Sequence, residues 1–244
     1  MKKSIILVLA ILASSPAAAG PAPSVVELFT SQGCSSCPPA DANLAELARR
    51  SDTVALGFHV TYWNNLGWID PLSTTWATAR QNAYAAALGR YQVYTPQMMI
   101  DGTADVVGSD DAALQKALDL SRAAAGRRVA VALKRSGNRL EMAIPAATFG
   151  PGHATLIIAG YDTPHVTDVQ AGENDGRKLR DVNAVRVFQV AGSWDGLATT
   201  RTVDLAALGI SSAMGVAVLI QLGPLDAKPG AIVGSGKLDP APSS

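Results

Sequence analysis

The chain is expected to fold as an α/β domain followed by a β-rich, sandwich-like domain, and three observations lead there. Apolar strand runs and helix-patterned stretches alternate as far as residue 126. The two cysteines of the sequence sit together as Cys34-Ser35-Ser36-Cys37 where the first strand run gives way to a helical pattern. From residue 127 to about 239 the pattern changes to short β-rich runs split by Gly, Pro, Asn and Asp.

The first segment is expected to be removed. Lys2 and Lys3 make a positive start, Ile5 to Leu12 an apolar run, and Ala17-Ala18-Ala19 a small-residue cleavage site, so residues 1–19 read as a secretory signal peptide. The mature chain then begins near Gly20 in the periplasm or outside the cell, where disulfides persist. No cysteine follows the leader to carry a lipid, and no later run reaches about 18 apolar residues, so no transmembrane segment is expected in the mature chain. Composition agrees: 48% of residues are hydrophobic, and 20 basic side chains balance 20 acidic ones. That balance offers no basic field for nucleic acid.

Val25 to Thr30 reads as the first strand, and the helix after the cysteines is marked by Leu44, Leu47 and Ala48 at helical spacing. Pro38 and Pro39 are tolerated because they fall in its first turn, and it should end near Arg49-Arg50. Thr53 to Thr61 follows as a buried strand, Tyr62 to Pro71 as a loop, and Ser73 to Leu88 as an Ala-rich helix. Asp101-Gly102 between two short β runs, one ending at Ile100 and one covering Thr103 to Val107, is a hairpin signal. A last helix is expected to be capped by Ser109, with Leu114, Ala117, Leu118 and Ser121 on its inner face.

A cysteine at a strand-to-helix turn has a specific chemistry. Unpaired N–H groups and the helix dipole at the N-terminus favour the thiolate, which predicts Cys34 as the attacking cysteine. Cys37, three residues on, is placed to resolve a mixed disulfide at Cys34. Structural zinc is disfavoured: no second cysteine pair exists and His59, His153 and His165 are scattered. An inert disulfide staple stays open, although closing so small a loop stabilises little. Glu27 is a carboxylate inside an apolar strand, where an unpaired ion is costly to bury, so it is expected to stay protonated, to point outward or to be held by a structural hydrogen bond.

The order of elements, with Thr95-Pro96 just before the hairpin, resembles the thioredoxin fold over about Val25 to Ala125, with an insertion between Tyr62 and Leu88. The resemblance implies a thioredoxin-like domain, 24–126, with a helical insertion, a cis bond at Thr95-Pro96, and a substrate edge made by Thr95 and Pro96. It also implies that an acidic residue on the first strand lies behind the second cysteine and takes its proton, a position that Glu27 falls near, with Cys37 as the donor. More closely, Val26 to Asp41, Tyr62-Trp63 and Gly67-Trp68-Ile69-Asp70 resemble the signature of bacterial secreted proteins of domain-of-unknown-function family 1223. Asn64 stands where that pattern commonly has an acidic residue. Trp63 and Trp68 are candidates to wall a substrate groove, or else pack the inserted segment.

The β runs of the second domain, 127–239, are Val129 to Lys134, Arg139 to Pro145, Ala154 to Tyr161, Val182 to Val190, Thr199 to Leu205 and Gly215 to Leu222. The polar stretch Gly172 to Asp181 reads as its largest loop, free to hold a partner or simply solvated, and Ser235-Gly236 onward as a frayed tail, with residues 240–244 at the end. His59 reads as a core histidine, and His165 with Asp162 and Asp168 as a surface loop rather than a metal site.

These readings converge on an exported thiol-disulfide oxidoreductase acting through Cys34 and Cys37 on thiol- or disulfide-containing envelope proteins, without an organic cofactor. Two alternatives stay open. In one, the β domain is a cell-envelope binding module and the disulfide is structural. In the other, Cys34 and Cys37 with Met98 or Met99 carry Cu(I), since thiolate and thioether suit that ion.

Overall fold

Two strands set the architecture because they are apolar on both faces. Leu156-Ile157-Ile158-Ala159 and Val216 to Ile220 carry no alternation of polar side chains, and such strands are stable only when both faces are covered. A computed structural model of the chain describes residues 21–150, 153–162, 164–226 and 228–240. The expected signal peptide and residues 241–244 of the tail lie outside the described residues.

The first sheet contains β1 (Ser24–Thr30), β2 (Thr53–His59), β3 (Gln97–Ile100) and β4 (Ala104–Val107) in the order β2-β1-β3-β4. β1 and β2 are parallel, while β1–β3 and β3–β4 are antiparallel. Its helices are α1 (Pro38–Ala48), α2 (Thr75–Ala87) and α3 (Asp111–Ala123). Alternation along β1 divides the packing. Val26 and Leu28 join Ala40, Leu44 and Leu47 of α1 and Leu114 and Leu118 of α3 in one core. Val25 and Phe29 face the other way, toward Ala77 and Tyr84 of α2.

The remaining strands are β5 (Val129–Ala130), β6 (Ala132–Ser136), β7 (Arg139–Ile144), β8 (Ala154–Tyr161), β9 (His165–Asp168), β10 (Lys178–Asp181), β11 (Val185–Trp194), β12 (Thr199–Asp204), β13 (Gly215–Gln221) and β14 (Ile232–Leu238). They form a five-stranded sheet β11-β8-β13-β14-β5, a three-stranded sheet β12-β7-β6 and the hairpin β9–β10. One face of the five-stranded sheet buries Leu156, Ile158, Val216, Val218 and Ile220 against Leu140, Met142 and Ile144 of β7. Its other face puts Ile157, Ala159, Tyr161, Ala217 and Leu219 into the core that holds Val25, Phe29, Leu56 and Phe58. The order of layers is therefore α1 with α3, first sheet, five-stranded sheet, three-stranded sheet.

This arrangement corrects the expected fold class of a thioredoxin-like domain with a helical insertion followed by a sandwich. The chain is mostly β, with 38% strand against 21% helix, several mixed sheets and three α-helices among the described residues. The segment from Tyr62 to Leu88 supplies one α-helix, α2, and a short 3-10 turn, Asn64–Leu66, rather than a helical insertion. The physical reason lies in β8 and β13: their two apolar faces demand two partners, so the sheet that looked like half of a separate sandwich also covers the first sheet.

Smaller expectations also change. Asp110, not Ser109, caps α3 by accepting from Ala113 N. Ser235 and Gly236 belong to β14, buried between β13 and β5, and not to a frayed tail. The expected Asp101-Gly102 turn is present, with φ of 48° and 69°, the left-handed pair that a tight hairpin requires.

Candidate functional site

After Thr30 the chain leaves the first sheet in a tight turn: Cys34 N donates to Ser31 O at 3.1 Å and Cys37 N to Cys34 O at 3.2 Å. Gly33 fits closely here: a Cβ at that position would sit 3.2 Å from the Cβ of Trp63, which would have to give by a few tenths of an ångström. The helix starts at Pro38 with Cys37 as its N-cap, so Cys34 lies in the preceding turn and not at the helix start that was expected. Pro38 fits because the N–H that it lacks would have had no partner in the first turn. Cys34 and Cys37 form a disulfide with Cα atoms 5.4 Å apart, and both residues are 0% exposed.

Side chains from distant segments surround this pair. Thr95 Oγ1 donates to Cys34 Sγ at 3.3 Å and accepts from Trp63 Nε1 at 2.8 Å. The Thr95-Pro96 peptide bond is cis. Trp68 reaches the same loop from the other side, Nε1 donating to Gln32 Oε1 at 3.1 Å. Thus Cys34, Thr95, Pro96 and Trp63 are brought together, and Trp68 joins them through Gln32. Asn64 has a different task, bonding Ser73 Oγ and Asp70 N to hold its own loop.

Glu27 is not brought to the cysteines. Between Val25 and Phe29 it faces α2, on the side of the sheet opposite α1. There Arg80 grips its carboxylate with Nε at 2.7 Å and Nη2 at 3.0 Å, and Tyr84 OH donates to it at 2.5 Å. Arg80 also donates to Gln221 of β13 and stacks 4.5 Å from the Phe188 ring centroid. Glu27 therefore ties the first sheet to α2 and the five-stranded sheet.

A second polar group, partly buried, backs the cysteine turn, and it escaped the sequence reading. Asp41 follows Cys37 by one helical turn, on the same helix face, and its Oδ1 accepts from Thr30 Oγ1 at 2.8 Å. Burial raises its carboxyl, Asp181 raises it further, and the result is a pKa of about 7. His59 Nδ1 lies 2.7 Å from Asp70 Oδ2 and its Nε2 3.9 Å from Asp181 Oδ1. Burial opposes charge on His59, but the charge and hydrogen bond of Asp70 together with the charges of Asp181 and Asp41 outweigh it, so its pKa is raised to about 9. Burial likewise works to raise Asp70, yet His59 holds it below the ordinary carboxylate range; Asp181 is raised by its burial. Gln32 joins this cluster to the cysteines, its N–H donating to Asp70 at 2.9 Å and its Nε2 to Asp181 at 2.7 Å.

The segment read as an open loop turns out to cover the site. Asn174, 0% exposed, donates through Nδ2 to the carbonyls of Gln32 and Cys34 at 2.9 Å each. Glu173 Oε2 accepts from Ser35 N at 3.0 Å. Only its polarity was visible in sequence, and polarity does not distinguish a solvated loop from one bonded to a backbone 140 residues away.

The Cu(I) arrangement is not assembled. Met98 and Met99 point to opposite faces of β3, into separate cores, and Cys34 and Cys37 are bonded to each other. His165 pairs with Asp162 at 3.0 Å, half-exposed, and no group of three or more metal-ligating side chains occurs among the described residues. No helix among the described residues is long and apolar enough to cross a membrane.

The profile of the DUF1223 family, proteins of unknown function, matches residues 25–221, which include the cysteine turn, Asp41, Trp63, Trp68, Thr95 and the covering segment. The chain belongs to the DUF1223 family. Among solved structures, a protein from Agrobacterium tumefaciens is 37% identical over 93% of this chain and 98% of that one, with a TM-score of 0.80. HBP35 of Porphyromonas gingivalis is 13% identical over 93% of this chain and 79% of that one, with a TM-score of 0.62, a likeness of fold alone. No curated protein matches the sequence of this DUF1223 member.

Proposed function

We propose that this DUF1223 protein is an exported thiol-disulfide exchange protein whose reacting pair is Cys34 and Cys37. The observation that carries the reading is the Thr95 hydroxyl aimed at Cys34 Sγ, a donor that stabilises a thiolate at that sulfur. In the reduced form the Cys34 thiolate attacks one sulfur of a partner disulfide. The Cys34–partner bond forms and the partner's other sulfur leaves as a thiolate. Cys37 then passes its proton to Asp41 and attacks Cys34 Sγ, so that the Cys34–Cys37 bond forms and the partner departs as a dithiol. Two electrons move from the cysteine pair to the partner, and the reverse sequence oxidises a partner dithiol.

Thr95, Pro96, Trp63 and Trp68 form the wall against which a partner chain docks. The partners are disulfide- or thiol-bearing proteins of the cell envelope, in keeping with the leader-like residues 1–19. Full burial of both cysteines favours a second reading, in which the disulfide is structural and the chain is an envelope binding module. One experiment separates them. A Cys37→Ser variant expressed in the native host, acid-quenched and resolved by mass spectrometry, should hold a defined set of proteins in mixed disulfides at Cys34. An empty trap, with the variant's Cys34 inert to exchange, would retire the exchange reading.

A further inference from the structure

A disulfide exchanges only when an attacking thiolate reaches one of its sulfurs. Here Cys34 is 0% exposed, and its neighbours Ser35 and Ser36 are the exposed part of the turn. What closes over the turn is the end of the β9–β10 hairpin. Its tip folds as Val169 N to Arg177 O and Gly176 N to Val169 O, with the 3-10 turn Gly172–Asn174 at its head. Arg177 Nη1 donates to Asn174 Oδ1 at 2.8 Å, which fixes the amide so that Nδ2 faces the Gln32 and Cys34 carbonyls. Glu173 takes the Ser35 N–H. Along the hairpin Thr167 and, at its base, Asp181 both accept from Gln32 Nε2.

We propose that the β9–β10 hairpin is a cap that sets which thiols reach Cys34, held closed by Asn174 and Glu173. The cap is built to open. β9 alternates between half-buried and exposed residues and β10 between exposed and buried ones, the two pair only with each other, and a two-stranded ribbon is marginally stable by itself. The tip is fastened by polar bonds, and both sides of each bond find water on opening, so the net cost is modest. Gly172 and Gly176 flank the tip at φ of 76° and 75°, and no L side chain is comfortable at either. With the cap closed, the rate of attack on Cys34 scales with the small open fraction. The proposal deepens the exchange reading and depends on it for its purpose, though not for the existence of the cap.

The test uses the oxidised mature chain and dithiothreitol as the attacking thiol, with reduction followed by maleimide mass shift. Asn174→Asp keeps the shape, removes both donors and sets a carboxylate against two carbonyls; Glu173→Ala removes the acceptor at an exposed position. Each should raise the second-order rate constant, Asn174→Asp by about tenfold or more since two hydrogen bonds are lost. Glu173→Gln, which still accepts from Ser35, should stay near wild type. Thermal unfolding of the oxidised variants should be unchanged. Rates equal to wild type in both opening variants, or a rise matched by a loss of global stability, would overturn the cap. Reduction of insulin disulfides by the reduced chain tests the other reading separately. Faster dithiothreitol attack with no transfer to insulin by any variant would retain the cap and dismiss exchange.

Discussion

The Thr95 hydroxyl donates to Cys34 Sγ across 3.3 Å, although 61 residues separate the two in the chain. That bond is the most direct link between the disulfide and the rest of the fold, and it sets the first prediction. Thr95→Val keeps the shape and removes the donor. In the reduced protein, alkylation of Cys34 against pH should move upward by about one unit, the size expected for losing one hydrogen bond to a charged group. An unmoved profile would leave Thr95 a support for Trp63 alone.

Asp41 is predicted to govern the resolving step. With its carboxyl at about 7, it is a proton acceptor only above that pH. Resolution of a preformed Cys34 mixed disulfide should therefore rise through an inflection near pH 7 in the wild type. In Asp41→Asn the inflection should vanish and the rate should recover only at higher pH, where Cys37 ionises unaided. Stopped-flow release of a chromogenic thiol reads this directly.

Glu27→Gln should act on stability. It removes the charge that balances buried Arg80, and breaking one side of a buried pair costs about 3–5 kcal/mol. Urea denaturation should show that loss. The rate of mixed-disulfide resolution, compared at equal folded fraction, should match wild type; a slowed resolution would restore Glu27 as the proton acceptor.

Stability should also fall on the alkaline side. The folded His59 titrates at about 9 against an ordinary 6.5, so its contribution is complete below 6.5 and is lost as pH rises through 9. Asp41, raised from 3.8 to about 7, pulls in the same direction at lower pH, because the folded state holds its proton more tightly. Asp70 is lowered and pulls the opposite way, its contribution disappearing as the medium becomes acidic. The urea midpoint should decline between pH 6.5 and 9 in the wild type, and His59→Gln should be less stable and lose the decline toward pH 9, keeping only the slope that Asp41 sets near and just above pH 7.

Much of the fold was legible because local signals carried it. Period-two alternation and apolar runs located β1, β2, β7, β8, β12 and β13. Pro38 and Pro39 marked the first turn of α1, whose start only the structure moved from Cys34 to Pro38, and Asp101-Gly102 set the hairpin. The spacing of Cys34 and Cys37 by itself determined that they can bond to each other, since three residues of separation keep them within reach in a turn. β9, β10 and β14 were missed because they are short, polar or glycine-rich, and pairing partners rather than composition make them strands.

What the tertiary structure alone decided is who stands next to whom. Glu27 and Asp41 are both acidic, and nothing local says that the first meets Arg80 while the second takes the Thr30 hydroxyl and lies within the field of His59 and Asp181. The choice follows from which face of the first sheet each occupies, and that depends on the five-stranded sheet closing over the Glu27 side. Asn174 shows the same limit. Its amide gives Gln32 O a donor and Cys34 O a second one beside Cys37 N, and a buried backbone acceptor takes such a donor from whatever segment folding delivers, here one 140 residues distant.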